Sequence, residues 1–148
     1  MEMITPCKSL NQPGWLDLRA ALWPDSSSAE HLAEMALFLA SPQRFAQFVE
    51  YDQSGKALGF IELAVRGDYV NGTESSPVAF LEGIYVEPIA RRRGIAGKLV
   101  AAAEQWAKEH GCKEFASDAA IDNTQSHAMH QSLGFNETER VVFFKKAL

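Results

Sequence analysis

With 148 residues, 47% of them hydrophobic and 22% charged, the chain has the length and balance of one globular domain, residues 1–148, with a real core. A net charge of -5 argues against nucleic acid as the main partner and suits a cationic small molecule better. Cys7 and Cys112 follow no metal or disulfide spacing, and no run of about 18 apolar residues or basic-then-apolar N-terminal segment occurs, so the expectation is a cytoplasmic protein without metal or membrane span.

In chain order, residues about 2–5 read as a short strand. Asn11 to Gly14 supply helix-start chemistry, and Trp15, Leu18 and Leu22 share one helical face before Trp23-Pro24 stops it. Ser27-x-x-Glu30 is a capping box that opens a second helix carrying Leu32, Met35 or Ala36, and Leu39. Residues about 45–51 and 57–66 read as two strands joined by the turn Asp52-Gln53-Ser54-Gly55. Gly67 to Pro77 is an eleven-residue loop, a length that is often functional.

Next comes an apolar strand, Phe80 to Val86, ended by Pro88, then the basic loop Arg91-Arg92-Arg93-Gly94-Ile95-Ala96-Gly97 and a helix on which Leu99, Ala103, Trp106 and Ala107 repeat. A helix N-terminus with unpaired N–H groups, a positive dipole end and arginines beside it is a site for a phosphate or pyrophosphate. The loop has neither the Lys-Ser/Thr ending of a P-loop nor G-x-G-x-x-G, which disfavours ATP and NAD. The helix ends at His110-Gly111, residues about 112–118 form a strand, Asn123 or Thr124 caps a short helix ending at Leu133-Gly134-Phe135, and residues about 138–146 read as a last strand with Val141 and Phe143. The order β-α-α-β-β-β-α-β-α-β gives an α/β fold of the α+β kind, a mixed sheet with helices against it and a parallel pair somewhere in 80–118.

Arg91-Arg92-Arg93-Gly94-Ile95-Ala96 resembles the Q/R-x-x-G-x-G/A loop of the GNAT acetyltransferases, and Asn123 followed by a helix ending in Leu133-Gly134-Phe135 resembles a second signature of that superfamily. Leu22-Trp23-Pro24, Asp68 to Gly72, Ser76-Pro77, Ala116-Ser117-Asp118 and Glu137 to Val141 resemble the aminoglycoside 6'-N-acetyltransferases within it. The resemblance implies the GNAT fold, homodimers, acetyl-CoA as co-substrate and transfer of acetyl to the 6'-amine of aminoglycoside antibiotics. It also implies that Arg91 to Gly97, with Asn123, hold the cofactor. By the same resemblance the Ile84 N–H would face the oxyanion, while Tyr85 and Val86 would hold the pantetheine arm by strand-like hydrogen bonds.

Such chemistry needs a carboxylate to take a proton from an ammonium group. Glu82 is the first candidate, because a carboxylate among Phe80, Leu81 and Ile84 has no packing reason to be there and is costly if buried unpaired; the alternative is that it faces solvent or pairs with an arginine. Asp118 ends the following strand, at the edge where open sheets place ligands. With Glu139 these residues would cradle a polycation, and Trp23 and Tyr69 would wall it. His130 stands where many superfamily members place a tyrosine as general acid, and the general acid is left open; His127 reads as exposed. The rival readings are an acetyltransferase for another amine, such as a polyamine or a protein N-terminus, and a non-catalytic acyl-CoA-binding module.

Overall fold

The computed structural model describes residues 3–148. Strand β1 spans Met3–Pro6, β2 Phe45–Tyr51, β3 Ala57–Arg66, β4 Val78–Val86 and β5 Phe115–Ala116; helices are α1 Trp15–Leu22, α2 Ser28–Ala40, α3 Ile95–Glu109 and α4 Thr124–Ser132. The expected first strand began at residue 2, which lies outside the described residues. The sheet order is β1-β2-β3-β4-β5, antiparallel through β4, with β5 parallel to β4. That parallel pair is the one expected between residues 80 and 118, with α3 as its crossover.

Each sheet face buries a different helix set. On one, Leu99, Val100, Ala103 and Ala107 of α3 pack on Ile61, Leu63, Ala79 and Leu81. On the other, Trp15 and Leu18 of α1 and Met35 of α2 pack on Val49 and Phe60. Trp15, Met35 and Phe60 are fully buried, and each such side chain contributes about 1.5–3 kcal/mol by leaving water. Local chemistry sets the helix limits. Ser27 and Glu30 close the capping box over α2, and Gly111 takes φ 80 just past α3, where a Cβ would be strained. Leu32, expected on the inner stripe of α2, is exposed; His31 takes the inward place beside Met35.

The His31 position belongs to a buried polar network. Arg19 Nη1 donates to both carboxylate oxygens of Glu62, and the indole N–H of Trp15 donates to Glu62 Oε2 at 2.9 Å. Burial pushes the Glu62 carboxyl up from its ordinary range, and the Arg19 guanidinium opposes that shift.

Two expectations are corrected at the C-terminal end. The strand expected over about 112–118 shortens to Phe115–Ala116, which pairs with Ala79 and Phe80 alone. The last strand expected over about 138–146 is not formed: the residues from Asn136 onward take no regular structure, and Phe143 and Phe144 are 86% and 92% exposed. The alternation of Val141 and Phe143 suits a pleat, but a strand exists only where a neighbouring edge accepts its hydrogen bonds, and none of the described strands pairs with these residues.

Candidate active site

The site forms where β4 outruns its neighbour. Since β5 stops opposite Phe80, the segment from Gly83 to Val86 has a strand partner on its β3 side and, among the described residues, none on its β5 side. Backbone N–H and C=O groups along that edge are available to an extended ligand arm, as in strand addition. Ile84, Tyr85 and Val86, the residues expected to hold such an arm, are half-buried there.

Glu82 owes its direction to a bulge. In the β3–β4 register Glu62 faces Gly83 and Leu63 faces Leu81, which leaves Glu82 as the extra residue. A bulge of this kind re-aims one side chain and often sits beside a functional site. Phe80 and Leu81 are both buried, whereas Glu82 turns outward. Of the two settings open to Glu82 from sequence, buried among apolar residues or facing solvent and paired with an arginine, the structure gives the second. Glu82 Oε1 accepts from Arg66 Nη2 at 2.9 Å, with the two side chains 32% and 41% exposed, and the Arg66 guanidinium lies 3.6 Å from the centroid of the Phe80 ring. Arg66 was missed at the sequence level; its place opposite Val78 at the end of β3 could have been found only by fixing the hairpin register and the bulge together.

Beside Glu82, Gly83 lets Trp23 approach. A Cβ there would lie 2.5 Å from Trp23 Cη2, so any larger residue would displace the indole. Trp23 is half-buried: its ring meets Phe60 edge-on at 6.0 Å and the Arg19 guanidinium at 4.9 Å. The loop of residues 67–77 closes another side. Val70 is buried with Val78 and Phe80, while Tyr69 is 76% exposed at the surface. Glu114 holds the loop by accepting from the backbone N–H groups of Glu74 and Ser75 and from the Ser75 hydroxyl. Those bonds, that of the Ser75 side chain foremost, hold the Glu114 carboxyl below its ordinary range. Gly72, at φ 80, lies against the C-terminal segment: a Cβ there would fall 2.1 Å from Thr138 Oγ1 and 3.7 Å from Glu139 Cγ. Glu139 is thereby brought to the loop that carries Tyr69.

The basic loop follows β4 through the short turn Pro88–Ala90. Arg91 bends back, its Nε donating to Val86 O at 2.9 Å and its guanidinium 5.6 Å from the Tyr85 ring, so it fastens the loop to the strand end. Arg92 takes a left-handed φ of 65, strained for a side chain, and Gly94 follows at φ 76. Gly94 is the N-cap of α3, no side chain caps it, and a Cβ on Gly94 or Gly97 would meet nothing within 4 Å. An uncapped helix start under an open glycine surface, flanked by the exposed Arg91, Arg92 and Arg93, has the chemistry of a pyrophosphate cradle. Ile95 is buried beneath it and Ala96 half-buried.

Past the end of β5 lie Asp118 and α4. Asp118 is exposed, two residues past β5. Asn123 spends its side-chain oxygen as the N-cap of α4, accepting from Ser126 N at 3.1 Å. His130 is engaged at both ring nitrogens, Nε2 with the Ser117 hydroxyl at 2.7 Å and Nδ1 with Ser126 O at 2.7 Å, which ties α4 to the end of β5. Ser117 enters the sequence reading only within the Ala116-Ser117-Asp118 resemblance, with no role of its own, since a serine before Asp118 carries no pattern that points to His130. His127, expected to be exposed, is half-buried, with Nε2 2.9 Å from Ala120 O. Among the described residues no group of three or more His, Cys, Asp or Glu is placed to hold a metal ion, and no helix is long and apolar enough to cross a membrane.

Comparison with known proteins agrees with this geometry. Residues 14–135 match the acetyltransferase (GNAT) family. An aminoglycoside N(6')-acetyltransferase type 1 of Acinetobacter genomosp. 13 is 55% identical over 143 residues, covering 97% of each chain, and one of Serratia marcescens is 53% identical over 146 residues, covering 99% of each. Among solved structures, the aminoglycoside antibiotic 6'-N-acetyltransferase AAC(6')-Ih of Acinetobacter baumannii superposes with a TM-score of 0.94 at 51% identity, covering 100% of this chain and 99% of that one. AAC(6')-Iy in complex with the bisubstrate analogue CoA-S-monomethyl-acetylneamine gives 0.93 at 42% identity over 100% and 99% of the two chains. With the half-free β4 strand, the bulged Glu82 and the glycine-opened start of α3 all in place, the chain belongs to the acetyltransferase (GNAT) family.

Proposed function

We propose that the protein is an aminoglycoside 6'-N-acetyltransferase. It transfers acetyl from acetyl-CoA to the 6'-amine of a polycationic aminoglycoside by direct attack in a ternary complex, and so confers antibiotic resistance. The observation that carries this reading is a likeness to such enzymes that runs the full length of the chain. Residues 1–148 act as one catalytic domain.

The residues divide the work. The uncapped start of α3 and the arginines from Arg91 to Arg93 take the pyrophosphate of the co-substrate, with Gly94, Ile95, Ala96 and Gly97 giving close backbone approach. Tyr85 and Val86 hold its arm along the unpartnered β4 edge, and the Asn123 amide adds a contact from the start of α4. The acceptor amine arrives protonated, since alkylammonium groups titrate near 10.4. Glu82 receives that proton, directly or through a water, and the amine attacks the thioester carbonyl. The Ile84 N–H stabilises the tetrahedral oxyanion, and the thiolate then leaves with little help because a thiol titrates near 8.5. His130 rests with Nε2 on the Ser117 hydroxyl and Nδ1 on Ser126 O, and no general acid is assigned to the thiolate. Asp118 and Glu139 face the remaining ammonium groups, while Trp23 and Tyr69 cover the sugar rings and their cations.

The protein works as a homodimer in the cytoplasm, where acetyl-CoA is made. Support for the dimer is the apolar run of Val142, Phe143 and Phe144, which one chain leaves in water and a second copy would cover. A dimer by sedimentation that becomes monomeric in Phe143→Asp/Phe144→Asp is expected; a monomeric wild-type protein contradicts it.

Thiol release from acetyl-CoA against aminoglycosides with and without a 6'-amine tests the function. Turnover is expected with 6'-amino compounds and absent with 6'-hydroxy ones. Equal rates on both would remove the regiochemical assignment, and no turnover on either would remove the activity.

A further inference from the structure

Three side chains from α1, α2 and β3 form a buried chain of donors and acceptors that ends on Trp23. Arg19 Nη1 donates to both oxygens of Glu62, and Arg19 Nε donates to His31 Nδ1 at 3.2 Å. His31 Nε2 lies 3.1 Å from the carbonyl oxygen of Trp23. Arginine has only N–H donors, so Nδ1 must accept, and a neutral His31 then carries its proton on Nε2 and donates to Trp23. The Arg19 guanidinium also faces the indole, 4.9 Å from the ring centroid. The far edge of that indole rests on Gly83, and Gly83 is the cross-strand partner of Glu62. Backbone and ring of Trp23 are therefore both gripped by one network, on the strand position next to Glu82.

Stability gives no reason for such a network. Arg19 and Glu62 are 1% and 3% exposed, and an ion pair that deep is commonly no better for stability than apolar residues filling the same space. What the ions supply and an apolar core would not is direction, since each bond fixes an angle as well as a distance. We propose that Arg19, His31 and Glu62 are positioning residues that set the Trp23 indole across Gly83, and so fix the wall against which the aminoglycoside binds. This rests on the place given to Trp23 under the proposed function.

The test compares His31→Leu, His31→Gln, the apolar pair Arg19→Met/Glu62→Leu, and Trp23→Ala. Each is measured for melting temperature, kcat, and the KM of acetyl-CoA and of a 6'-amino aminoglycoside. His31→Leu is expected to raise the aminoglycoside KM about tenfold, the scale of one lost charge-linked hydrogen bond. The acetyl-CoA KM should stay within about twofold, a level at which no bond of that strength has been lost. His31→Gln, which retains an acceptor and a donor, should recover most of the loss. The apolar pair, which leaves the buried Trp15 N–H and His31 Nδ1 without their partners, should melt below wild type but stay folded, and should show the same raised aminoglycoside KM with the acetyl-CoA KM held, a split that a merely structural role would not produce. If His31→Leu and the folded apolar pair keep the wild-type aminoglycoside KM while Trp23→Ala raises it, the positioning role is overturned and the wall stands. If Trp23→Ala also leaves that KM unchanged, the wall and the positioning role are both overturned.

Discussion

Neighbouring strands carry two glutamates paired with arginines, Glu62 of β3 with Arg19 of α1 and Glu82 of β4 with Arg66 of β3, and their surroundings make the pairs different objects. The first lies at 1% and 3% exposure, where taking two charges out of water is expensive and losing one partner strands the other. The second lies at 41% and 32% exposure, where water screens the pair and its worth to stability is about 0–1 kcal/mol. The Glu62 carboxylate is spent on Arg19 and Trp15 and is closed to any ligand. Glu82 stands on a rim, one residue from the Trp23 indole, where an incoming ammonium can compete with Arg66. A bulge at Glu82 of β4, opposite the step from Glu62 to Leu63, produces the contrast, because it turns Glu82 out of the core. Chemistry of the same type is thus fixed in one place and exchangeable in the other.

The contrast breaks most sharply in Glu62→Gln. Leaving Arg19 without its counter-charge should cost about 3–5 kcal/mol of folding free energy, a large share of the usual 5–15, read by urea denaturation. A loss below about 1 kcal/mol would mean that water reaches this pair as it reaches the outer one. Trp23→Ala comes next. Acceptor KM should rise about tenfold, equivalent to about 1.4 kcal/mol, with acetyl-CoA KM held, in steady-state kinetics. The smallest effect belongs to Glu114. Its folded-state titration lies below the ordinary 4.5, so its contribution is complete above the unfolded value and fades as pH falls through the lowered folded one. Protease cleavage within residues 67–77 should therefore increase on acidification below about pH 4.3 and become insensitive to pH there in Glu114→Gln.

Much of this was legible in the sequence. The strands over 45–51 and 57–66 agree with β2 and β3, the Ser27–Glu30 capping box starts α2, and the loop from Arg91 to Gly97 opens α3. These features are local: alternation, caps and glycines act within a few residues. What was not legible depends on distant partners. The outward turn of Glu82 needs the register of two strands, and the Arg66 contact needs the same register. The strand expected at 138–146 has the right pattern and is paired by none of the described strands. Leu32 and His31 exchanged places because the inner face of α2 is set by Arg19 and Trp23, which no periodicity in α2 reports.

The most direct measurement is Glu82→Gln, followed for folding and turnover in the same preparation. The expected result is a melting temperature close to wild type with kcat/KM for a 6'-amino aminoglycoside lowered about a hundredfold or more, the range of a lost general base. Wild-type turnover together with wild-type aminoglycoside affinity would contradict the assignment of Glu82 as the residue that meets the acceptor.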